Sequence, residues 1–260
     1  MSARDDVYAN IRRSLGVDGR EATRRAAVEQ RLSQAPRGIV PARGSLDAAG
    51  RLALFQAEAE AAAASVVRVA EPAAIAGEVA RYLDAHDLAP ALRIDHAVFR
   101  WTHLNTDNVI DSNNGEHAFR EKPGSTFSQH ALAPDSRLAA AAFAAMGLAV
   151  ETGRAESSDA NALSHAFAGV AETGTLVLAS GPESPTTLNF LPDNHIVIVR
   201  ADDIEGDYEA IWQRLRTAYG KGKMPRALNL ITGPSRSADI EQEIILGAHG
   251  PRRLHILIVG

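Results

Sequence analysis

The sequence predicts an α/β protein: a mainly parallel sheet flanked by helices, preceded by a helical N-terminal arm. Three observations carry this reading. From residue 65 onward, short apolar or β-branched runs alternate with helical stripes, which is the pattern of βαβ units. The first 34 residues instead hold two helical patterns with thin apolar faces and no strand pattern. Hydrophobic residues make up 45% of the 260, enough to bury a sizeable core.

Each element follows from its own residues. Val7, Ile11 and Leu15 recur at spacing four, Asp5 and Asp6 sit where the helix dipole favours them, and Gly16 stops the helix. Residues 21–34 read as a second helix carrying Ala26, Val28 and Leu32. The stretch PRGIVPARG over 36–44 is a Pro/Gly linker, so the expected organisation is an arm over 1–44 and an α/β domain over 45–260. An Ala-rich helix over 46–64 carries Leu52, Leu54 and Phe55, and 65–70 is a strand. Pro72 opens the next helix at a position where its missing N–H is harmless, and Ile75, Val79 and Leu83 form its stripe. Residues 91–94 form a strand. Residues 99–133 break the texture as a polar insertion rich in Asn, Asp, Ser and His. Its His103, His117 and His130 lack metal-ligand spacing, and no metal site is expected. The alternation then resumes: helix 136–146, strand 148–152, a short helix 161–167, strands 175–180 and 194–200, helix 207–219, strand 227–231, helix 238–246 and strand 254–259.

Composition narrows the function. With 27 basic and 32 acidic residues the net charge is −5, which lacks the basic footprint of a dedicated nucleic-acid binder. No cysteine is present, so disulfides, zinc–thiolate sites, thiol nucleophiles and cysteine-ligated iron–sulfur clusters are excluded. No apolar run approaches the roughly 20 residues of a membrane helix, and residues 1–16 lack the apolar stretch of a secretory signal. A cytoplasmic protein is the expectation.

No G-x-S-x-G, H-E-x-x-H, phosphate-loop or G-x-G-x-x-G motif occurs. Three polar clusters remain, each beside a strand. The first is Glu172, Thr173, Gly174 and Thr175, where Glu172 reads either as a tuned carboxylate or as a turn residue satisfying local N–H groups. The second lies over 185–195, with Asn189 and His195 the residues expected to face a cleft, against a satisfied structural histidine. The third runs from Thr232 through Ser235, Arg236, Asp239 and Glu241, with His249 on a Gly-bounded turn beyond. There Ser235 or Ser237 is expected to cap a helix. Glu172, Asn189, His195, Arg236 and Asp239 are expected to converge on one cleft at the strand ends, with Arg236 held by Glu172 or Asp239.

The segments AETGTLVLASGPESPTTLNFLPDNHIVIV and PRALNLITGPSRSADIEQEIILGAHGPRRLHILIV resemble the LUD-domain family, and within it the lactate utilisation protein C branch. The likeness is strong over 150–260 and looser before it. It implies a fold of the NagB/RpiA/CoA-transferase-like superfamily. It also implies a non-redox subunit that acts with two cysteine-rich iron–sulfur proteins in oxidising L-lactate to pyruvate, with no cofactor of its own. Glu172-Thr173-Gly174 is a partial echo of the CoA-transferase nucleophile. A stand-alone CoA-transferase- or phosphosugar-isomerase-like enzyme and an assembly scaffold without chemistry stand as alternatives.

Overall fold

The computed structural model describes residues 2–34, 37–96, 98, 136–238, 244–247 and 249–260. The chain forms two compact units, 1–39 and 40–260, so that residues 40–44 of the expected linker group with the second unit.

The first unit holds α1 (Ala3–Leu15) and α2 (Ala22–Gln34). Ser2 and Asp5 close a reciprocal capping box on α1, and Gly16 ends it in the left-handed conformation. The stripe of Val7, Ile11 and Leu15 is exposed.

The second unit opens with α3 (Ala48–Ala61), which leads into β1 (Ser65–Val69), α4 (Ile75–Ala85) and β2 (Ala91–Ile94). Next come α5 (Ser136–Ala145), β3 (Ala149–Thr152) and β4 (Asn161–His165). Then follow β5 (Ala168–Val170), β6 (Thr175–Ala179), β7 (Asn194–Arg200) and β8 (Ile204–Glu205). The chain continues through α6 (Tyr208–Tyr219), β9 (Leu228–Ile231), β10 (Arg236–Ala238), β11 (Ile244–Leu246) and β12 (Arg253–Val259).

Six strands pair in parallel in the order β1-β12-β7-β4-β2-β3. On one face, Ile75, Val79 and Leu83 of α4 and Phe143 of α5 pack on Leu163, Ile196, Ile198, Leu257 and Val259. On the other, Phe55 and Ala59 of α3 join Leu176 and Leu178 against Val197, Val199, Ile256 and Ile258. The latter pair belongs to a second sheet, β8-β5-β6-β9, in which β6 pairs antiparallel with both β5 and β9. Helix α6 covers its far side through Ile211 and Leu215.

Two helix expectations are corrected. Residues 161–165 are an interior strand between β2 and β7. The segment NALSH carries no β-branched residue, and a strand covered on both faces shows no alternation, so its local pattern resembles a short helix. The expected helix over 238–246 is also absent at both ends: Arg236–Ala238 and Ile244–Leu246 pair as an antiparallel hairpin. The Ile244-Ile245 pair favours this extended state, and the proposed capping by Ser235 or Ser237 has no helix to serve there. The polar insertion over 99–133 lies outside the described residues.

Candidate functional site

The amino ends of the parallel strands carry a polar ladder. Arg253 donates to Asn194 at 3.0 Å, Asn194 donates to Asn161 at 2.9 Å, and Asn161 donates to the carbonyls of Ala89 and Ala91. His195, one residue into β7, is fully buried, with Nε2 2.6 Å from Ser164 Oγ. Burial holds its pKa down at about 3, and Nδ1 is enclosed without a hydrogen-bond partner. Asn189 is buried in the 3₁₀ turn Thr186–Asn189, just before the exposed Phe190 and Leu191. Ser235 N–H donates to the carbonyl of Pro251 at 2.8 Å, and Ser235 Oγ accepts from the N–H of His249 at 3.4 Å.

Arg236 reaches the same edge and donates to the carbonyl of Ala62, at the end of α3, over 3.4 Å. Cations suit a helix C-terminus, where unpaired carbonyls carry partial negative charge. Glu172 stands elsewhere, in the turn between β5 and β6 of the second sheet. Its N–H donates to Gly206 O at 3.1 Å, and its carboxylate accepts from Tyr208 N–H, at the start of α6, at 3.4 Å. Its bonds are therefore those of a turn residue tying a helix start. Thr173, Thr175, Thr232 and Tyr208 form a hydroxyl network, with Thr175 Oγ1 at 2.7, 2.6 and 3.1 Å from the other three. Gly174, at φ 60°, rests on α3: a Cβ there would stand 2.2 Å from Ala59 N.

Among the bonds described, Glu172 is joined to Gly206 O and Tyr208 N–H, Arg236 to Ala62 O and His195 to Ser164, so none of them links Glu172 to Arg236 or His195. Asn189, His195, Ser235, Arg236 and His249 are on segments at the amino edge of the parallel sheet. Glu172 and Thr173 tie the second sheet to α3 and α6. Asp239 and Glu241 lie outside the described residues.

The carboxyl edge holds residues that the sequence reading did not single out. Asp95, directly after β2, is fully buried. It accepts from Val98 N–H at 2.8 Å, from His165 N–H at 3.0 Å and from Ser184 Oγ at 3.4 Å. The neighbouring His96 N–H donates to the carbonyl of Glu183 at 3.0 Å. His165 ends β4, and its pKa is depressed to about 3 by burial and then by the charges of Arg200 and Arg214. The one sequence signal was the Asp-His pair directly after a strand. His165 was hidden by the helix reading of its segment. Among the described residues no group of three or more His, Asp or Glu is arranged to hold a metal ion.

Comparison with known proteins adds the lineage. A curated relative from Geobacillus sp. (strain WCH70), lactate utilization protein C, is 37% identical over 91 residues, 35% of this chain and 38% of that protein. The protein of that name from Exiguobacterium sp. (strain ATCC BAA-1283 / AT1b) is 37% identical over 95 residues, 36% of this chain and 41% of its own. An uncharacterized protein of Neisseria meningitidis serogroup B is 38% identical over 96 residues, 37% of this chain and 40% of its own. The chain thus spans about two fifths of the length of the curated relatives it matches. The fold is that of a DUF162 family protein from Deinococcus radiodurans, whose crystal structure aligns with a TM-score of 0.51 at 19% identity, covering 83% of this chain and 99% of that one. The LUD domain profile matches residues 52–259, from α3 to the last residue of β12, and the chain belongs to the LUD domain family.

Proposed function

We propose that this chain is a non-redox subunit of a cytoplasmic complex that oxidises L-lactate to pyruvate, allowing lactate to serve as a carbon and energy source. The observation that carries this reading is its similarity to proteins named lactate utilization protein C. The oxidation removes two electrons and two protons from each lactate. A chain with no cysteine and no dinucleotide fingerprint has no cysteine-ligated cluster or recognised nucleotide site to receive them. The electrons therefore pass to two cysteine-rich iron–sulfur partners. The amino-edge loops meet those partners: Phe190 and Leu191 are 45% and 47% exposed beside the Arg252–Asp193 ion pair, giving an apolar centre with a charged rim.

The test is genetic and biochemical. Deleting the gene abolishes growth on L-lactate as sole carbon source, and the affinity-tagged chain from lactate-grown cells brings down proteins with iron–sulfur absorbance. Normal growth of the deletion strain, in a background without a second L-lactate dehydrogenase, would sink the reading.

A further inference from the structure

The two larger sheets of the second unit have four edge strands, β1 and β3 in the parallel sheet and β8 and β9 in the other. An edge strand offers unpaired backbone groups to any other strand, and charged side chains or short length blunt that offer. Arg68 stands exposed on β1, Glu151 is 74% exposed on β3, and β8 is two residues long. β9 has neither a charge nor a proline, and its Leu230 is 42% exposed.

The pairing of β9 with β6 fixes which of its backbone groups face outward. Ser180 N–H donates to the carbonyl of Ala227 at 2.9 Å, and the register runs on through Leu178 opposite Asn229 and Leu176 opposite Ile231. Hydrogen-bonded pairs alternate along an antiparallel ladder. Asn229 and Ile231 therefore bond to β6, while Leu228 and Leu230 direct their N–H and C=O groups away from it. Among the described residues nothing hydrogen-bonds to those outward groups. On the same strand, Nδ2 of the Asn229 side chain is enclosed without a hydrogen-bond partner. A buried donor of this kind is rarely left unmatched.

We propose that β9 is a homodimer interface, pairing antiparallel with β9 of a second copy about a twofold axis at Asn229. In this register Leu228 and Leu230 of the partner subunit exchange both N–H···O bonds, and so does the reciprocal pair. Leu230 is covered beside Leu228, which already packs on the apolar cluster under α6. Asn229 meets its own symmetry mate as a non-hydrogen-bonded pair, the arrangement that brings facing side chains closest, so each amide donates Nδ2–H to the other's Oδ1. Arg226 falls opposite Thr232, and no like charges meet. A strand of another protein would need a matching amide at that one position, whereas a second copy supplies it by symmetry.

Sedimentation equilibrium of the full chain across about 1–100 µM shows a monomer–dimer equilibrium. Leu230→Lys raises the dimer dissociation constant at least about tenfold with an unchanged far-ultraviolet spectrum, because an edge position accepts lysine. The chain has no cysteine, so single replacements report proximity directly. Under mild oxidation Asn229→Cys joins two chains by a disulfide at least about tenfold faster than Glu151→Cys on β3. A monomer throughout the range overturns the proposal, as does a dimer untouched by Leu230→Lys or equal cross-linking by the two cysteine replacements.

Discussion

His195 and His255 are each almost fully enclosed, and burial depresses their pKa values from the ordinary 6.5 to about 3 and about 4. His255 is stacked on Tyr82 with ring centroids 3.9 Å apart, and its Nδ1 lies 2.8 Å from Ser65 Oγ. Both rings stay neutral in the folded chain, whereas the unfolded chain takes up protons below pH 6.5. Stability is therefore complete above that pH and falls as the pH drops toward the folded values. At pH 5 each histidine lowers stability by about 2 kcal/mol relative to pH 7.5. Urea unfolding at pH 7.5, 6 and 5 checks this, and a flat midpoint across the range would contradict the enclosure of both rings. The hydroxyl network makes a second residue-scale prediction. Its four hydroxyls make four contacts, so one proton from each satisfies all of them. Thr175→Val removes three of those contacts in a fully buried position and lowers unfolding free energy by about 1–3 kcal/mol. Equilibrium denaturation of the variant measures the loss.

At the scale of elements, the C-terminal turn of α3 is a junction. Gly174 approaches Ala59, and Gly233, at φ 73°, lies so close to Ala62 that a Cβ would stand 2.1 Å from its carbonyl oxygen. Neither position tolerates a side chain, since both the backbone conformation and the space require glycine. Gly233→Ala is expected to cost at least about 2 kcal/mol, read as a lowered melting temperature. Arg236→Ala contrasts with it. The guanidinium is exposed and makes a long bond to one helix-end carbonyl, so its loss costs about 1 kcal/mol or less. Loss of lactate growth by an Arg236→Ala strain with a near-normal melting temperature assigns the residue to function. A drop comparable to that of Gly233→Ala assigns it to the α3 junction.

For the whole molecule, the two edges of the parallel sheet differ in the residues they carry. The amino edge gathers motif loops and the exposed Phe190 and Leu191, and the carboxyl edge gathers Asp95, His165, Ser184 and Arg200. If the proposed iron–sulfur partners dock at this edge, replacing Phe190 and Leu191 together by Ala reduces their co-purification by at least about tenfold while leaving the melting temperature close to wild type, as removal of an apolar interface anchor does. Undiminished co-purification would place the partner surface elsewhere. The isolated chain is expected to be colourless, and a stoichiometric flavin, haem or iron–sulfur spectrum in a pure preparation would contradict the proposed non-redox role.

By itself the sequence determined the helical stripes, the helix stops, the strongly apolar strands and the exclusion of cysteine chemistry. These are local properties: Ile75, Val79 and Leu83 mark one helix face wherever the helix is placed, and all three are buried. Glycine turns such as that at Gly174 were legible for the same reason. Only the tertiary structure decided which strands are neighbours. Asn161–His165 is a strand because β2 and β7 supply hydrogen-bond partners on both sides, a condition set by residues far away in the chain. The same long-range pairing put β6 and β9 in a separate sheet, and with it the Glu172 turn that leads into β6. It also brought Asp95 to within 3.0 Å of the His165 N–H, 70 residues further along, a proximity that no local pattern encodes.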